Sequence, residues 1–403
     1  MVPSGWDSKE LRELVTFSNG KGHEKHISEG GKYVVVNSKY ISSDGSVFKR
    51  SDESFCPAST NDILMVMSDV PNGKAIAKCF LVDEDNKYTV NQRIARFRSK
   101  GSDPLFLFYS INRNSYYLEF DDGLKQTNLR KDDVLDCPIK TPPLPEQRKI
   151  AKILSTWDKA ISTTEKLIET SKQQKKALMQ QLLTGKKRLV SPETGKAFEG
   201  EWEEVHLKDI CDVNPKKPKE PENGLVSFVP MDAVSEDAKL LRTDDKPYSE
   251  VSKGFTSFKD LDTLIAKITP CFENGKGALV NHLKNGIGFG STEFHVLRAK
   301  RGNSPDFIYY LTTTSAFRVR GEMNMQGSAG QKRVTTDYLK LYKVVVPKEL
   351  NEQQKIASVI TAADKEIEVL EAKLAHFKQE KKALMQQLLT GKRRVKVDEE
   401  VAA

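Results

Sequence analysis

The twelve residues KKALMQQLLTGK stand at Lys175–Lys186 and return without a substitution at Lys381–Lys392. That repetition constrains the fold more than any other feature, because it makes the chain two copies of one plan. At an offset of 206 positions, Glu146–Lys186 aligns with Glu352–Lys392 without a gap, and 23 of the 41 pairs are identical. The register continues more loosely upstream. Gln126 falls over Gln331 and Pro142 over Pro347, while Trp6 and Leu11 echo Trp202 and Leu207. The plan is therefore a variable part, a well-kept segment, a second variable part and the same segment again.

The kept segment reads as a long helix. In its second copy, apolar residues recur every three or four positions through Ile356, Ile360, Ala363, Ile367, Leu370, Leu374, Phe377, Leu384 and Leu388, with Lys381 breaking the series. The first copy holds the phase with Ile150, Leu154, Trp157, Ile161, Ile168, Leu178 and Leu182, but sets Thr164, Ser171 and Lys175 on the seam. Heptad spacing sustained this far is the mark of a coiled-coil face. Pro145 suits a first helical turn, and Gly185 and Gly391 sit where a left-handed residue ends a helix. The basic runs Lys186–Arg188 and Lys392–Arg394 follow, placed for the negative end of the helix dipole. About 40 residues at 1.5 Å each give a rod of roughly 60 Å, longer than one globular core needs. The natural cover for each apolar stripe is the other copy, in an antiparallel pair about a pseudo-twofold axis. Leu154, Trp157, Ile161 and Ile168 of the first helix are then expected to meet Ile360, Ile367, Leu370, Leu374 and Phe377 of the second.

The variable parts read as mixed α/β with short strands. YVVVN (Tyr33–Asn37), DILMVM (Asp62–Met67), RIARFR (Arg93–Arg98), LVSFVP (Leu225–Pro230), TLIAKI (Thr263–Ile268) and FHVLRA (Phe294–Ala299) are the clearest. Turn-rich stretches such as PNGK, ENGKG and KNGIGFGS separate them, and Ser304–Arg320 carries helical spacing. Composition narrows the class: 38% hydrophobic and 30% charged residues, with no apolar run near the roughly 18 residues of a membrane span. The polar N-terminus is no secretory signal. Five scattered cysteines with no C-x-x-C pair read as reduced thiols of a cytoplasmic protein. A net charge of +8 is compatible with a polyanionic partner.

Catalytic constellations do not assemble. No G-x-x-x-x-G-K-[ST] loop is present, and the glycines of GIGFGS (Gly286–Ser291) have the spacing of a turn. TPPL (Thr141–Leu144) lacks the flanking residues of a methyltransferase motif. HEKH (His23–His26) has no third metal ligand nearby and reads as a surface loop, and SPD (Ser304–Asp306) has no acid and lysine to complete a nuclease.

LPEQRKIA (Leu144–Ala151) and NEQQKIA (Asn351–Ala357), each opening a long helix that ends in LLTGK, resemble the conserved regions of type I restriction–modification DNA specificity subunits. LDTLIAKITPCFENGKGALV (Leu261–Val280), followed by GFGSTEFHVLR (Gly288–Arg298), resembles their target-recognition domains; Asn61–Asp83 is a looser relative. The resemblance implies an α+β fold. Its target-recognition domains would span 1–145 and 202–348, with long helices over 146–185 and 349–391, a linker over 186–201 and a tail over 392–403. It also implies a chain without catalysis that reads a split, asymmetric double-stranded DNA target, one half-site per domain. Two methyltransferase subunits would dock on the helices and motor–nuclease restriction subunits would join. S-adenosylmethionine, ATP and magnesium would be bound by those partners and none by this chain.

Candidate readers lie in polar, basic loops, where glutamine pairs with adenine, arginine with guanine, and lysine meets phosphate. In the second part these are Ser328, Gln331, Lys332 and Arg333, with Lys267, Thr269, Asn274 and Lys276 in a second loop. Their counterparts in the first are Lys125, Gln126, Thr127, Asn128 and Arg130, with Asn72 and Lys74 beside Asp69. Each of these residues is equally at home in a solvated loop. The competing class is a coiled-coil scaffold with two protein-binding heads and no sequence-specific DNA binding.

Overall fold

The computed structural model describes residues 2–71, 73–328 and 330–397. The chain divides into two compact units. The first joins Met1–Glu165 to Ala372–Ala403, and the second is Lys166–Glu371.

Both units are built on one topology. In the first, an antiparallel sheet runs in the order Val15–Asn19, Ile94–Ser99, Ile63–Val66, Cys79–Leu81. In the second, the corresponding order is Cys211–Val213, Phe294–Ala299, Thr263–Ala266, Gly277–Leu279. A second sheet accompanies each, three-stranded in the first unit and four-stranded in the second, and contains a parallel pair: Tyr33–Val36 with Tyr88–Val90, and Leu225–Val229 with Ile287–Gly290. A two-stranded ribbon leads into each long helix, Asp7–Glu10 against Pro138–Thr141 and Trp202–His206 against Lys343–Pro347.

Alternation along the central strands explains the two-layered cores. Ile63 and Met65 point into one cluster with Phe97, Phe106 and Leu154, while Leu64 and Val66 point into another with Val34, Val36 and Val90. A strand buried on both faces reads as a continuous apolar run, and ILMV is one. Ile265 and Leu264 divide in the same way in the second unit. A buried carboxylate precedes each of these strands and is forked by an arginine of the neighbouring strand. Arg98 donates to Asp62 at 2.8 and 2.9 Å, and Arg298 to Asp262 at 2.8 and 2.7 Å. The loosely related Asn61–Asp83 thus holds the same place as Leu261–Val280.

Three local expectations are corrected. The turn read over Gly286–Ser291 is largely a buried strand, Ile287–Gly290. A Cβ on Gly288 would lie 2.1 Å from the Phe258 ring and one on Gly290 2.4 Å from the Val229 carbonyl oxygen, so these glycines serve close packing. His23 is fully buried instead of lying in a surface loop. Its Nε2 is 2.8 Å from the Thr89 hydroxyl and its Nδ1 is 2.7 Å from the Lys21 carbonyl oxygen. The helical stretch Ser304–Arg320 is two helices, Pro305–Thr312 and Ser315–Met323, each capped at its start by a hydroxyl, Ser304 and Thr314.

The long helices span Leu144–Leu182 and Leu350–Leu388. Gly185 and Gly391 end them at φ of 70° and 71°. The N–H groups of Lys187 and Arg393 reach back to the carbonyls of Gln181 and Gln387, each at 3.1 Å. In each unit a segment of one helix lies antiparallel to a segment of the other. Within the first unit, Trp157 meets Phe377 edge to face at 5.5 Å, and Lys378 pairs with Glu165 at 2.7 Å. Within the second, Lys172 pairs with Glu371 at 2.7 Å. Leu154, Ile168, Ile360 and Ile367 are buried, whereas Trp157, Ile161, Leu370, Leu374 and Phe377 are half-buried.

The lysines that interrupt the heptads are paired across the seam. Lys381 bonds Asp158, which also accepts from the Tyr109 hydroxyl. In the second unit Lys175 bonds Asp364 at 2.6 Å, and the Tyr310 hydroxyl donates to the same carboxylate at 3.0 Å. The helix starts are clamped with the same duplication. Glu146 and Glu352 are buried and bidentate to Arg394 and Arg188, at 2.7 and 2.7 Å and at 2.6 and 2.8 Å. Gln147 and Gln353, also buried, tie the helix to the N–H groups of Asp103 and Ser304, each at 2.9 Å. The last residue of each basic run thus clasps a buried carboxylate and is not confined to the helix dipole.

Candidate nucleic-acid interface

The two loops singled out in each variable part are brought together. In the first unit Ser68–Asp69 pairs antiparallel with Thr127–Asn128. In the second, Ile268 bridges to Arg333, and the N–H of Thr269 donates to the Lys332 carbonyl at 3.0 Å. Each unit therefore carries one composite polar surface built from distant stretches of chain.

Carboxylates organise the first surface from within. Asp69 accepts from the N–H groups of Val70, Ala75 and Ile76 at 2.9, 2.6 and 3.0 Å. Asp122 accepts from Leu124 and Lys125 at 2.9 and 3.1 Å, and these bonds hold its carboxyl below the usual aspartate range. Asp121 takes the Gly123 N–H and the Thr127 hydroxyl. Thr127 is consequently buried and builds the loop, while Lys74, Lys125, Gln126, Asn128 and Arg130 are exposed. The Gln126 amide nitrogen donates to Ser68 Oγ at 2.8 Å and to Asn128 Oδ1 at 3.3 Å, which fixes its orientation. Asn72 lies outside the described residues.

In the second unit Ser328, Gln331 and Lys332 are exposed, as is Asn274, whose amide donates to Glu236 at 2.8 Å. Arg333 forks onto Glu293 at 3.0 and 2.9 Å, and that bond lowers the Glu293 pKa. Arg333 therefore holds the loop to the sheet. Thr269 donates to Glu273 at 2.6 Å, Lys276 reaches the Met231 carbonyl at 3.4 Å, and Lys267 is half-buried. Beneath the loop, Arg318 donates to the carbonyls of Phe272 and Gly275 at 3.3 and 3.1 Å, and burial lowers its pKa to about 10. Glu293, Arg318, Asp121 and His295 are the organisers that sequence spacing does not single out. The bidentate match of Arg333 to a glutamate 40 residues away has no local signature.

A second paired feature lies on the helices. Met179, Gln180, Leu183 and Thr184, all inside the repeated dodecamer, line a groove of about 680 Å³ in the second unit with Leu311, Tyr342 and Val344. Their counterparts Met385, Gln386, Leu389 and Thr390 line a groove of about 330 Å³ in the first, with Tyr109 and Ile139. Among the described residues no group of histidine, cysteine, aspartate or glutamate is placed to hold a metal, and no helix is long and apolar enough to cross a membrane.

Two copies of one mixed sheet domain, each presenting a pair of polar loops and each followed by a long paired helix, make up a duplicated architecture. Comparison with known proteins places it. Residues 3–172 and 199–379 match the type I restriction modification DNA specificity domain, and the chain belongs to that family. It is 38% identical over 148 residues to the specificity subunit of the type I restriction enzyme EcoEI of Escherichia coli, covering 36% of this chain and 25% of that protein. To the EcoAI specificity subunit of the same organism it is 40% identical over 163 residues, or 38% and 26% of the two chains. The match thus spans about a quarter of these two relatives. Nearly the whole chain aligns with the MjaVIII specificity subunit of Methanocaldococcus jannaschii, at 26% identity over 421 residues, 98% of this chain and 94% of that one. In fold it is similar to the crystal structure of the S subunit of the M. genitalium type I system, with a TM-score of 0.61 at 16% identity over 96% of both chains.

Proposed function

We propose that this chain is the non-catalytic specificity subunit of a cytoplasmic type I restriction–modification complex. It reads a split, asymmetric duplex target, one block per unit. Two methyltransferase subunits dock on its helices, and restriction subunits join the assembly. S-adenosylmethionine, ATP and magnesium belong to those partners, and this chain binds none of them.

The observation that carries the reading is the contrast between what the two copies keep and what they change. The order of the four-stranded antiparallel sheet, the helix clasps and the dodecamer lining both grooves are the same in each unit, as two contacts with one kind of partner require. The paired loops differ in nearly every exposed residue, as readers of two unlike sequences must. Base edges in the major groove are distinguished by such side chains, while lysines fix the register on phosphate.

The test is a methylation map of cells carrying this chain and its modification subunits, before and after residues 123–128 are exchanged for those of a relative. The expected map has two specified blocks around an unspecified spacer, and the exchange changes the bases of one block alone. A map that loses both blocks, or keeps both, overturns the assignment of that loop. Absence of any sequence preference returns the chain to the scaffold class.

A further inference from the structure

In the second unit the strands Cys211–Val213 and Thr263–Ala266 both run antiparallel to Phe294–Ala299, so they point the same way and leave the sheet at one end. That end carries the candidate readers. Thr263–Ala266 runs on into Lys267 and Thr269, and the Val334 N–H donates to the Lys267 carbonyl at 2.9 Å. From the exit of Cys211–Val213 comes NPKKPK, Asn214–Lys219. Two anchors hold this arm. Asn214, at a φ of 54°, turns the chain, donates from its amide to Thr336 at 3.2 Å and accepts the Val296 N–H at 3.0 Å. At the far end Pro218 is buried, and its carbonyl takes the Tyr248 hydroxyl at 3.0 Å. Between them the prolines fix their own φ and keep Lys217, which precedes one, extended. Lys217 turns to the protein and donates to the Ser252 carbonyl at 3.1 Å. Lys216 and Lys219 are exposed and make no ion pair among the described residues. In an extended proline-rich chain of about three residues per turn, positions three apart fall on one side, roughly 9 Å from each other. The first unit keeps the plan. Val15–Asn19 and Ile63–Val66 both run antiparallel to Ile94–Ser99, and exposed Lys21 follows the exit.

We propose that Lys216 and Lys219 form a phosphate-binding arm that grips the duplex backbone beside the second block, whatever its sequence. The proposal rests on the reading of the neighbouring loops as DNA-facing. A lone exposed lysine is ordinarily a solvated one; two on one side of a pinned arm, at the end of the sheet where the readers stand, are placed for a polyanion. Lysine meets phosphate as a point charge and carries no base preference. An arm fixed before binding loses little freedom in the complex. Its place among the readers favours the duplex over an acidic protein.

The experiment measures duplex binding by the chain assembled with its modification subunits, on the mapped target and on a scrambled duplex, across roughly 50 to 200 mM salt. The double variant Lys216→Gln, Lys219→Gln should lower the slope of log affinity against log salt by about 1.8, or about 0.9 for each phosphate contact removed. Over that range the parent should lose about twelvefold more affinity than the variant. Both duplexes should weaken alike, and the methylation map should stay the same. Lys208→Gln is the control: this exposed lysine lies at the opposite end of the sheet, just before Cys211–Val213 begins, and its loss should leave the slope unchanged. The altered side chains are exposed, so every variant should melt with the parent. An unchanged slope in the double variant overturns the arm, and so does an equal fall per charge in Lys208→Gln. A loss confined to the mapped target would also overturn it, because a backbone grip cannot tell the two duplexes apart. A parent that prefers no sequence removes the specificity reading, while the slopes on the scrambled duplex still decide the arm.

Discussion

At position 295 the second unit carries a buried histidine where the corresponding strand of the first has Ala95. His295 donates from Nε2 to the Val334 carbonyl at 2.8 Å and accepts at Nδ1 from the Asn214 amide at 3.1 Å, so its neutral form is the one that fits. Burial holds its pKa below the ordinary 6.5, reinforced by Lys267 and opposed by Glu293 and the bond to Val334. An unfolded chain takes up this proton as pH falls below 6.5, while the folded chain resists until the depressed value is reached. His295 therefore contributes no pH slope above 6.5, and stability is lost as pH falls between the two values, by at most about 1.4 kcal/mol per pH unit. Urea midpoints of the parent and His295→Ala across this range should diverge in slope, with the flatter curve in the variant. Parallel curves would mean that the imidazole titrates as it does in water. Val334 directly follows Gln331–Arg333, so acid should loosen the second unit's candidate reading surface.

Elements were legible in proportion to how local their causes are. The long helices follow from heptads, a first-turn proline and a terminal glycine, all within reach of one another in sequence. The strands Tyr33–Val36, Ile63–Val66 and Thr263–Ala266 follow from apolar runs between turns. Loop pairing was not legible, because the partners of Ser68–Asp69 and Ile268 lie some 60 residues onward and meet only after the sheet has formed. The strand Ile287–Gly290 was hidden for a similar reason: its glycines answer to the Phe258 ring and the Val229 carbonyl, which the sequence does not place beside them. Lys381 looked like a break in the seam until Asp158 and Tyr109 stood opposite. Phe377 is half-buried against Trp157, so Phe377→Ala should cost about 2 kcal/mol, below the roughly 3–5 kcal/mol of a fully enclosed phenylalanine. Chemical denaturation of the variant checks this. A loss at the upper end would mean that other side chains close over the ring in solution.

On the scale of the whole molecule, the two copies are alike in shape and unlike in chain path. The second unit is one continuous stretch, whereas the first needs both ends of the chain. Arg394 stacks over the Trp6 ring at 5.6 Å, donates to the Ser4 carbonyl and forks onto buried Glu146. Ending the chain at Lys392 leaves that carboxylate with the Trp6 indole N–H but without its partly exposed cation, and should destabilise the first unit by about 1–3 kcal/mol. Hydrogen exchange should show the loss in Trp6–Leu14 and Leu144–Leu154, far from the cut in sequence, with the second unit's amides unchanged. Uniform loss in both units would mean that they unfold together. The discontinuity also sets an order in time. A ribosome making 5–20 residues per second takes roughly 10–45 s to travel from the end of the first unit's leading stretch to Arg394. Through that interval the first half made has no clasp for Glu146, while the second half can close on itself as it emerges. The half translated first is thus finished only after the second, and a message cut short before Arg394 spoils the part of the protein that was read out earlier.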